Sequence, residues 1–177
     1  MTRQPIPLAE GRLDLVLIGF FAVNLLFITY IVDLEQIVIR DAVSFTYPLW
    51  PPAPLVDLVH WYGRTFDPLL MARPPFWKAS SWLDALLFGP YYVAATYAFW
   101  KGRDWIRLPT IIYATMLFTN VAMIMSEEAW GVSASPRLAI VAALNLPRFL
   151  VPVALIARVW PSEHPFTRDP GAPVHGT

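Results

Sequence analysis

Apolar residues in this chain fall into long runs rather than into short alternating segments. Four runs approach or reach the roughly 20 residues that a helix needs to cross the hydrocarbon core of a bilayer. We predict transmembrane helices at residues 13–32, 82–100, 109–125 and 138–160. The first run is too long for a signal-peptide core and no small-residue cleavage site follows it, which favours a retained membrane helix.

A long polar connection, residues 33–81, separates the first two runs. Inside it, apolar residues recur at helical spacing and polar residues occupy the opposite face. This pattern predicts a short amphipathic helix that lies on the membrane or caps the bundle, with His60 on its surface. The apolar positions are Leu55, Leu58, Val59, Tyr62 and Phe66, and the polar positions are Asp57, His60 and Arg64. Pro68 ends the helix, because a residue that precedes proline disfavours the helical conformation.

The composition supports a membrane protein and excludes several other classes. Apolar residues make up 56% and charged residues 15% of the chain, whereas a typical soluble domain carries about 25% charged residues. Lys+Arg 13 balance Asp+Glu 13, which leaves no basic surplus for nucleic acid. The sequence has no cysteine, and its three histidines lack metal-ligand spacing. We therefore predict neither a metal nor a cofactor.

Basic residues are distributed slightly unevenly between the two sides of the predicted bundle. The richer side carries Arg3, Arg12, Lys101, Arg103, Arg107, Arg158 and Arg168. By the positive-inside rule, this side faces the cytoplasm and holds both termini. Residues 1–12 then form a cytoplasmic N-terminus and residues 161–177 a flexible tail. The expected location is the inner membrane of a bacterium or an endoplasmic-reticulum-type membrane of a eukaryote.

Polar residues within the predicted helices gather in one half of the membrane. They are Asn24, Asp33, Asp84, Asn120, Glu127, Glu128, Asn145 and Arg148, and Asp67 can reach the same rim. A charged side chain in lipid costs about 2.5–3.5 kcal/mol even on the translocon-insertion scale, so such residues usually face a bundle interior or a wet cavity. We predict an all-α membrane protein, a four-helix bundle with an intramembrane ligand cavity that is acidic at its outer end.

Each of these polar residues also has a structural interpretation. Asp33, Glu127 and Glu128 could be interfacial loop residues, and Asp67 could be a turn residue. Asp84 could cap the second helix. The three asparagines could be contacts between helices, and Arg148 could pair with a carboxylate for structure alone.

One ordered string of residues is specific enough to indicate a family. It comprises Asp33-Leu34, Trp61-Tyr62, Phe66-Asp67-Pro68-Leu69-Leu70, Pro74-Pro75, Ala95-Thr96-Tyr97-Ala98-Phe99, Lys101-Gly102 and Trp105-Ile106-Arg107. In this order the residues resemble the EXPERA family, and most closely its sigma-2 receptor branch. The family also contains the emopamil-binding protein, a sterol isomerase. The resemblance covers residues 13–160 and implies one four-helix membrane domain with a ligand cavity.

The resemblance implies roles for several residues. In the sigma-2 branch, the aspartate matching Asp33 pairs with a ligand amine and the one matching Asp67 supports it. Asp84 falls near a glutamate of that cavity. Asn120 to Glu127 resembles an aspartate-to-glutamate stretch of the isomerases, and Asn145 matches their pocket asparagine.

The departures from the family pattern concern the proton chemistry. Phe20 and Asn24 stand where the isomerases carry a histidine and a glutamate, so the first-helix proton machinery is absent. Arg148 stands where isomerases have tryptophan and sigma-2 receptors have tyrosine.

Two functional hypotheses follow. The first is a non-catalytic membrane protein that binds a sterol, a terpenoid or a cationic amphiphile, with the resemblance also allowing a homodimer. Its ligand-binding residues are Asp33, Asp67, Asp84, Asn24, Asn120, Glu127, Asn145 and Arg148. The second is a sterol or terpenoid isomerase or cyclase, in which Asp33, Asp67 and Asp84 are catalytic. A purely structural membrane subunit would explain the helices but not the gathered polar groups.

Overall fold

The computed structural model describes residues 3–8 and 11–169, and helices form most of this part of the chain. Two of the long helices change their hydrogen-bonding pattern midway. Helix α1 comprises Arg12–Val23, a π-helical stretch Asn24–Asp33 and Leu34–Val38. Helix α4 comprises Pro75–Leu83, a π-helical stretch Asp84–Phe88 and Gly89–Lys101.

The remaining elements are two long helices, two short helices and a pair of strands. The short helices are α2 (Ala53–Thr65) and α3 (Leu69–Ala72). A 3₁₀ turn at Asp104–Ile106 leads into α5 (Arg107–Trp130), and α6 is Leu138–Val159. The strands are β1 (Gln4–Pro5) and β2 (Thr167–Arg168). Helix α2 forms where the amphipathic pattern predicts it.

Three helices of the described chain are long and apolar enough to cross a membrane. They are Arg12–Val38, Asp104–Trp130 and Leu138–Val159, with mean hydropathies of 2.5, 1.6 and 2.0. Large apolar side chains on these helices are exposed, as the lipid-facing side of a bundle requires; examples are Val16, Leu26 and Val153. The protein is thus an integral membrane protein. Helix α4, predicted as a fourth span, is not among these three.

Most of the long helices extend beyond the predicted apolar runs. Helix α1 continues past Asp33 to Val38, and α4 begins at Pro75 rather than at residue 82. The apolar runs understate these lengths because polar side chains that face the bundle interior interrupt them. Asp84 therefore lies well inside α4, so its interpretation as a helix cap is wrong.

An aromatic core holds α1, α4 and α5 together at one end of the bundle. The ring centroid of Phe21 lies 5.4 Å from that of Phe99, 6.2 Å from that of Tyr92 and 6.5 Å from that of Tyr113. Tyr91 stacks on Tyr113 with 4.1 Å between centroids. Edge-to-face and offset-stacked pairs of this kind add to the area that they bury. Side chains fill this end of the bundle.

The two ends of the described chain meet beside that aromatic core. Strands β1 and β2 pair antiparallel, with Gln4 opposite Arg168. Asp104 accepts hydrogen bonds from the backbone N–H of Phe166, at 2.8 Å, and from the hydroxyl of Thr167. Residues 161–169, which the sequence assigns to a flexible tail, are therefore anchored as far as Asp169. The rest of the predicted tail lies outside the described residues.

Candidate functional site

A cavity of about 330 Å³ lies between the long helices and is covered by α2. Four polar residues line it: Asp33, Asp67, Asn145 and Arg148. The apolar wall consists of Phe27, Ile28, Val32, Leu58, Val59, Trp61, Tyr62, Leu70, Trp77, Ile124 and Leu144. A mostly apolar wall with a few convergent polar groups is the usual composition of a small-molecule pocket.

Asp33 lines this cavity, and one oxygen of its carboxylate is buried without a direct hydrogen bond in the described chain. It lies at the end of the π-helical stretch of α1 and is buried. Its Oδ2 atom has no hydrogen-bond partner within the described residues. The Ser81 hydroxyl lies close by on α4 and is itself buried without a partner in the same part of the chain. Because a buried acceptor without a donor is costly, this oxygen is suited to a donor supplied by a ligand.

A polar cluster lies behind Asp33 and joins α1, α4 and α6. The Thr29 hydroxyl donates to Asp84 Oδ1 at 2.5 Å. Arg148 Nη2 lies 3.9 Å from Asp84 Oδ2, and its Nε donates to Asn24 Oδ1 at 3.4 Å. The sequence predicts Asn24, Asp33, Asp84 and Arg148 in one half of the membrane, and the structure brings all four together.

The charges of this cluster do not balance. Asp33 and Asp84 both lie within electrostatic reach of the single guanidinium of Arg148. The three groups sum to one negative charge when both carboxyls are ionised and to zero when the carboxyls hold one proton. When both carboxyls are ionised, the one excess negative charge allows the cluster to bind a hydrogen-bond donor or to take up a proton.

A second pair of acids lies at the outer end of the cavity. Asp67 follows α2, and its Oδ1 accepts the backbone N–H of Leu70 at 3.4 Å. Burial raises the pKa of Asp67 above its usual value, and hydrogen bonding to Glu128 and to the backbone partly opposes this rise. Glu128 is fully buried beside it on α5. Burial and these two carboxyls also raise the pKa of Tyr62 to about 12.

Sequence reasoning missed a buried ionic network next to the cavity. Glu35 Oε1 lies 2.5 Å from Arg73 Nη2 and 2.8 Å from His60 Nε2. All three side chains are buried, so the interpretation of His60 as a surface residue is wrong. Trp77, which lines the cavity, donates to Gln36 Oε1 at 2.8 Å and so connects the network to the pocket wall. No local signal marks this site, because its members come from separate segments of the chain.

Two of the predicted site residues make structural contacts away from the cavity wall. Asn120 Nδ2 donates to the Ser80 hydroxyl at 2.7 Å, which joins α5 to α4. Glu127 Oε1 accepts the backbone N–H of Ser133 at 2.9 Å in the loop after α5. Its neighbour Glu128, and not Glu127, faces Asp67. Between residues 3–8 and 11–169, no group of three acidic or histidine side chains is arranged to hold a metal ion.

Comparison with known proteins adds family information to this geometry. The family model EBP, described as EXPERA (EXPanded EBP superfamily), matches residues 54–159. Sigma intracellular receptor 2 of Xenopus tropicalis is 34% identical over 141 residues, covering 73% of this chain and 77% of the relative. The proteins of the same name from Macaca fascicularis and Homo sapiens are each 33% identical over 112 residues, covering 62% of this chain and 59% of the relative.

Proposed function

The chain belongs to the EXPERA family, and from this premise we propose that it is an intramembrane binding protein for sterol-like or cationic amphiphilic lipids. The observation that carries the proposal is a mostly apolar cavity lined by the buried carboxyl group of Asp33, whose Oδ2 atom makes no direct hydrogen bond within the described residues. Such a cavity accepts a hydrophobic skeleton and fixes its one polar head.

In this proposal the ligand head binds Asp33 and the skeleton packs against the aromatic wall. Asp67 contributes the second acidic group, at the outer end. Trp61, Tyr62 and Trp77 supply ring faces that can hold a cation or a flat polycyclic ring. Asn24, Asp84 and Asn145 complete the polar end of the site. Asn120 and Glu127 make structural contacts instead, so we do not place either side chain in direct contact with the ligand.

We infer four membrane crossings with both termini in the cytoplasm. The pairing of β1 with β2 supports this topology, because it holds the two ends of the described chain on one side of the bundle. Three crossings would separate those ends, whereas a fourth crossing by α4 (Pro75–Lys101) returns the chain to its starting side. The bilayer would be a bacterial inner membrane or an endoplasmic-reticulum-type membrane, and a homodimer is compatible with this arrangement.

Substitution of Asp33 tests the binding proposal. The probes are cholesterol and a steroidal amine, titrated onto purified protein in lipid nanodiscs. Asp33→Asn should weaken binding at least about tenfold, because hydrogen bonds to charged groups contribute about 1.5–3 kcal/mol. The control is Asp57→Asn, since Asp57 is exposed on α2 and bonds only Tyr47. Unchanged affinity in Asp33→Asn would contradict the proposal.

A second candidate function is a sterol or terpenoid isomerase or cyclase. The observation that favours it is the pairing of buried acids, Asp33 with Asp84 and Asp67 with Glu128, around an apolar cavity. A protonated carboxyl would add its proton to an alkene carbon. A carboxylate would then remove a proton from a neighbouring carbon, so that the double bond moves and the atoms balance.

Solvent deuterium tests this candidate. Wild type in D₂O is incubated with sterols and triterpenes, and mass spectrometry measures deuterium bound to carbon. Deuterium gained with wild type and not with Asp33→Asn identifies an enzyme whose proton path includes Asp33. If no substrate gains deuterium while sterols still raise the melting temperature, the protein is a binder only.

A further inference from the structure

Arg148 places a cationic donor on the wall of the same cavity that holds the acids. Its side chain is mostly buried, with 17% of its surface exposed. Its two polar contacts are long: 3.4 Å from Nε to Asn24 and 3.9 Å from Nη2 to Asp84. In the described part of the chain its Nη1 has no polar partner. The guanidinium is therefore available to an acceptor in the cavity.

The cavity thus offers two complementary atoms to one ligand head. Asp33 supplies a carboxylate acceptor and Arg148 supplies guanidinium donors, and both side chains line the cavity. The two side chains lie within electrostatic reach of each other. The guanidinium of Arg148 only donates, and the carboxylate of Asp33 accepts whenever it is ionised.

A hydroxyl is the head group that satisfies both atoms at once. Its hydrogen donates to Asp33 while its oxygen accepts from Arg148. An ammonium has only donors, so it can satisfy Asp33 but gives Arg148 no acceptor and places a second positive charge beside the guanidinium. A ketone accepts from Arg148 and leaves Asp33 without a donor.

We propose that Arg148 is a specificity-determining residue, which makes this cavity select an amphiphile with a neutral hydroxyl head over the same amphiphile with an ammonium head. The inference rests on the proposed binding function and narrows its ligand class. It assigns to Arg148 a contact with ligand in addition to its contact with Asp84.

Matched ligands on one skeleton test the assignment. The probes are 5α-cholestan-3β-ol and its 3β-amine, protonated at pH 7, titrated onto the full chain in nanodiscs. Wild type should bind the alcohol at least about tenfold more tightly than the amine, which is the range of one hydrogen bond to a charged group. Arg148→Met should abolish or reverse that preference, and Arg148→Lys should retain its direction.

Arg158→Met is the matched control. Arg158 lies at the other end of α6, where its Nε and Nη2 contact Asp14 at 2.9 and 3.0 Å. Its loss removes a guanidinium outside the cavity, so the alcohol-to-amine ratio should equal that of wild type whatever the melting temperature.

Three results would overturn the inference. Wild type that prefers the amine contradicts it, even if Arg148→Met does not fold. A preference that Arg148→Met leaves unchanged also contradicts it, while the binding function stands. Folded wild type that binds neither ligand contradicts both the inference and the proposed function.

Discussion

At the scale of single residues, buried charged side chains have two different roles in this protein. Glu35 and Arg73 are paired with each other, whereas Asp33 retains an oxygen without a partner in the described chain. The first arrangement stabilises the junction of α1 with the segments after α2. The second leaves a polar atom for a ligand. Residue type alone does not distinguish these roles, because Asp33 and Glu35 are two positions apart on one helix.

Loss of one partner from the Glu35 network should destabilise the fold strongly. Glu35→Gln leaves the buried guanidinium of Arg73 without its carboxylate, and breaking a buried ion pair in this way costs about 3–5 kcal/mol. Unfolding of the detergent-solubilised protein measures the change. Arg64→Met is the control, since Arg64 is exposed on α2 and should change stability little. A loss in Glu35→Gln no larger than in the control would contradict the prediction.

Stability should fall with rising pH because of Asp67. Burial raises the pKa of this carboxyl above 3.8, its usual value. The folded state therefore holds the proton more tightly than the unfolded state. The resulting stabilisation is complete below pH 3.8 and is lost as the pH rises through the raised pKa.

Asp67→Asn should remove that part of the pH dependence, because the amide is neutral throughout. Melting temperatures of both proteins between pH 4 and pH 8 measure the effect. As the pH rises, the melting temperature of wild type should fall relative to that of Asp67→Asn. Parallel curves would mean that Asp67 does not titrate in this range.

At the scale of elements, the π-helical stretches of α1 and α4 place the functional side chains. Asp33 ends one stretch and Asp84 begins the other. The stretches contact each other through the Thr29–Asp84 hydrogen bond. A π-helical turn rotates the residues after it relative to an α-helix, and such turns are frequent at functional sites. Regular helical spacing therefore misplaces these side chains by part of a turn.

The end of α4 depends on a glycine. Gly102 has φ +60°, and a Cβ atom there would lie 2.9 Å from Pro5 Cβ and 3.1 Å from Phe166 O. Gly102→Ala should destabilise the protein by about 1–2 kcal/mol, because the left-handed conformation disfavours a side chain. The melting temperature measures this loss.

Gly19→Ala serves as the control for that substitution. A Cβ atom at Gly19, inside α1, meets no atom within 4 Å. In a helix interior, alanine is more favourable than glycine by about 1 kcal/mol. Gly19→Ala should therefore be as stable as wild type or more stable. Equal losses in both variants would contradict the local explanation.

At the scale of the whole molecule, the paired strands hold the two ends of the described chain together. This closure supports the even number of crossings that we propose. Helix α4 is the only described candidate for the fourth, although its polar and charged residues lower its hydropathy. Its Asp84 is accommodated because it faces Thr29 and Arg148 rather than lipid.

Cysteine labelling tests the number of crossings, and the cysteine-free sequence provides a clean background. Ser44→Cys, Ala134→Cys and Arg103→Cys each place one thiol at an exposed position. With four crossings, an impermeant maleimide should label Ser44→Cys and Ala134→Cys from one side of the membrane and Arg103→Cys from the other. Labelling of Ser44→Cys and Arg103→Cys from the same side, with Ala134→Cys labelled from the other, would exclude a crossing by α4.

The membrane class and the family could be predicted from sequence, whereas the functional roles of the site residues stay a prediction. The resemblance to EXPERA is confirmed by the family match over residues 54–159 and by the sigma-2 receptor relatives. The grouping of Asn24, Asp33, Asp84 and Arg148 in one half of the membrane follows from their positions along each helix, since depth is proportional to residue number. Helix ends were less predictable, because inward-facing polar residues interrupt the apolar runs.

By itself, the sequence determined which segments are strongly apolar and where each polar residue lies along its helix. Only the tertiary structure decided which of those residues meet. It places Glu128 rather than Glu127 beside Asp67, buries His60 against Glu35, and positions Arg148 between Asn24 and Asp84. The physical reason is that depth is a property of one helix, whereas contact also depends on the rotation and packing of several helices. The two π-helical stretches alter that rotation without a signal in the hydropathy pattern.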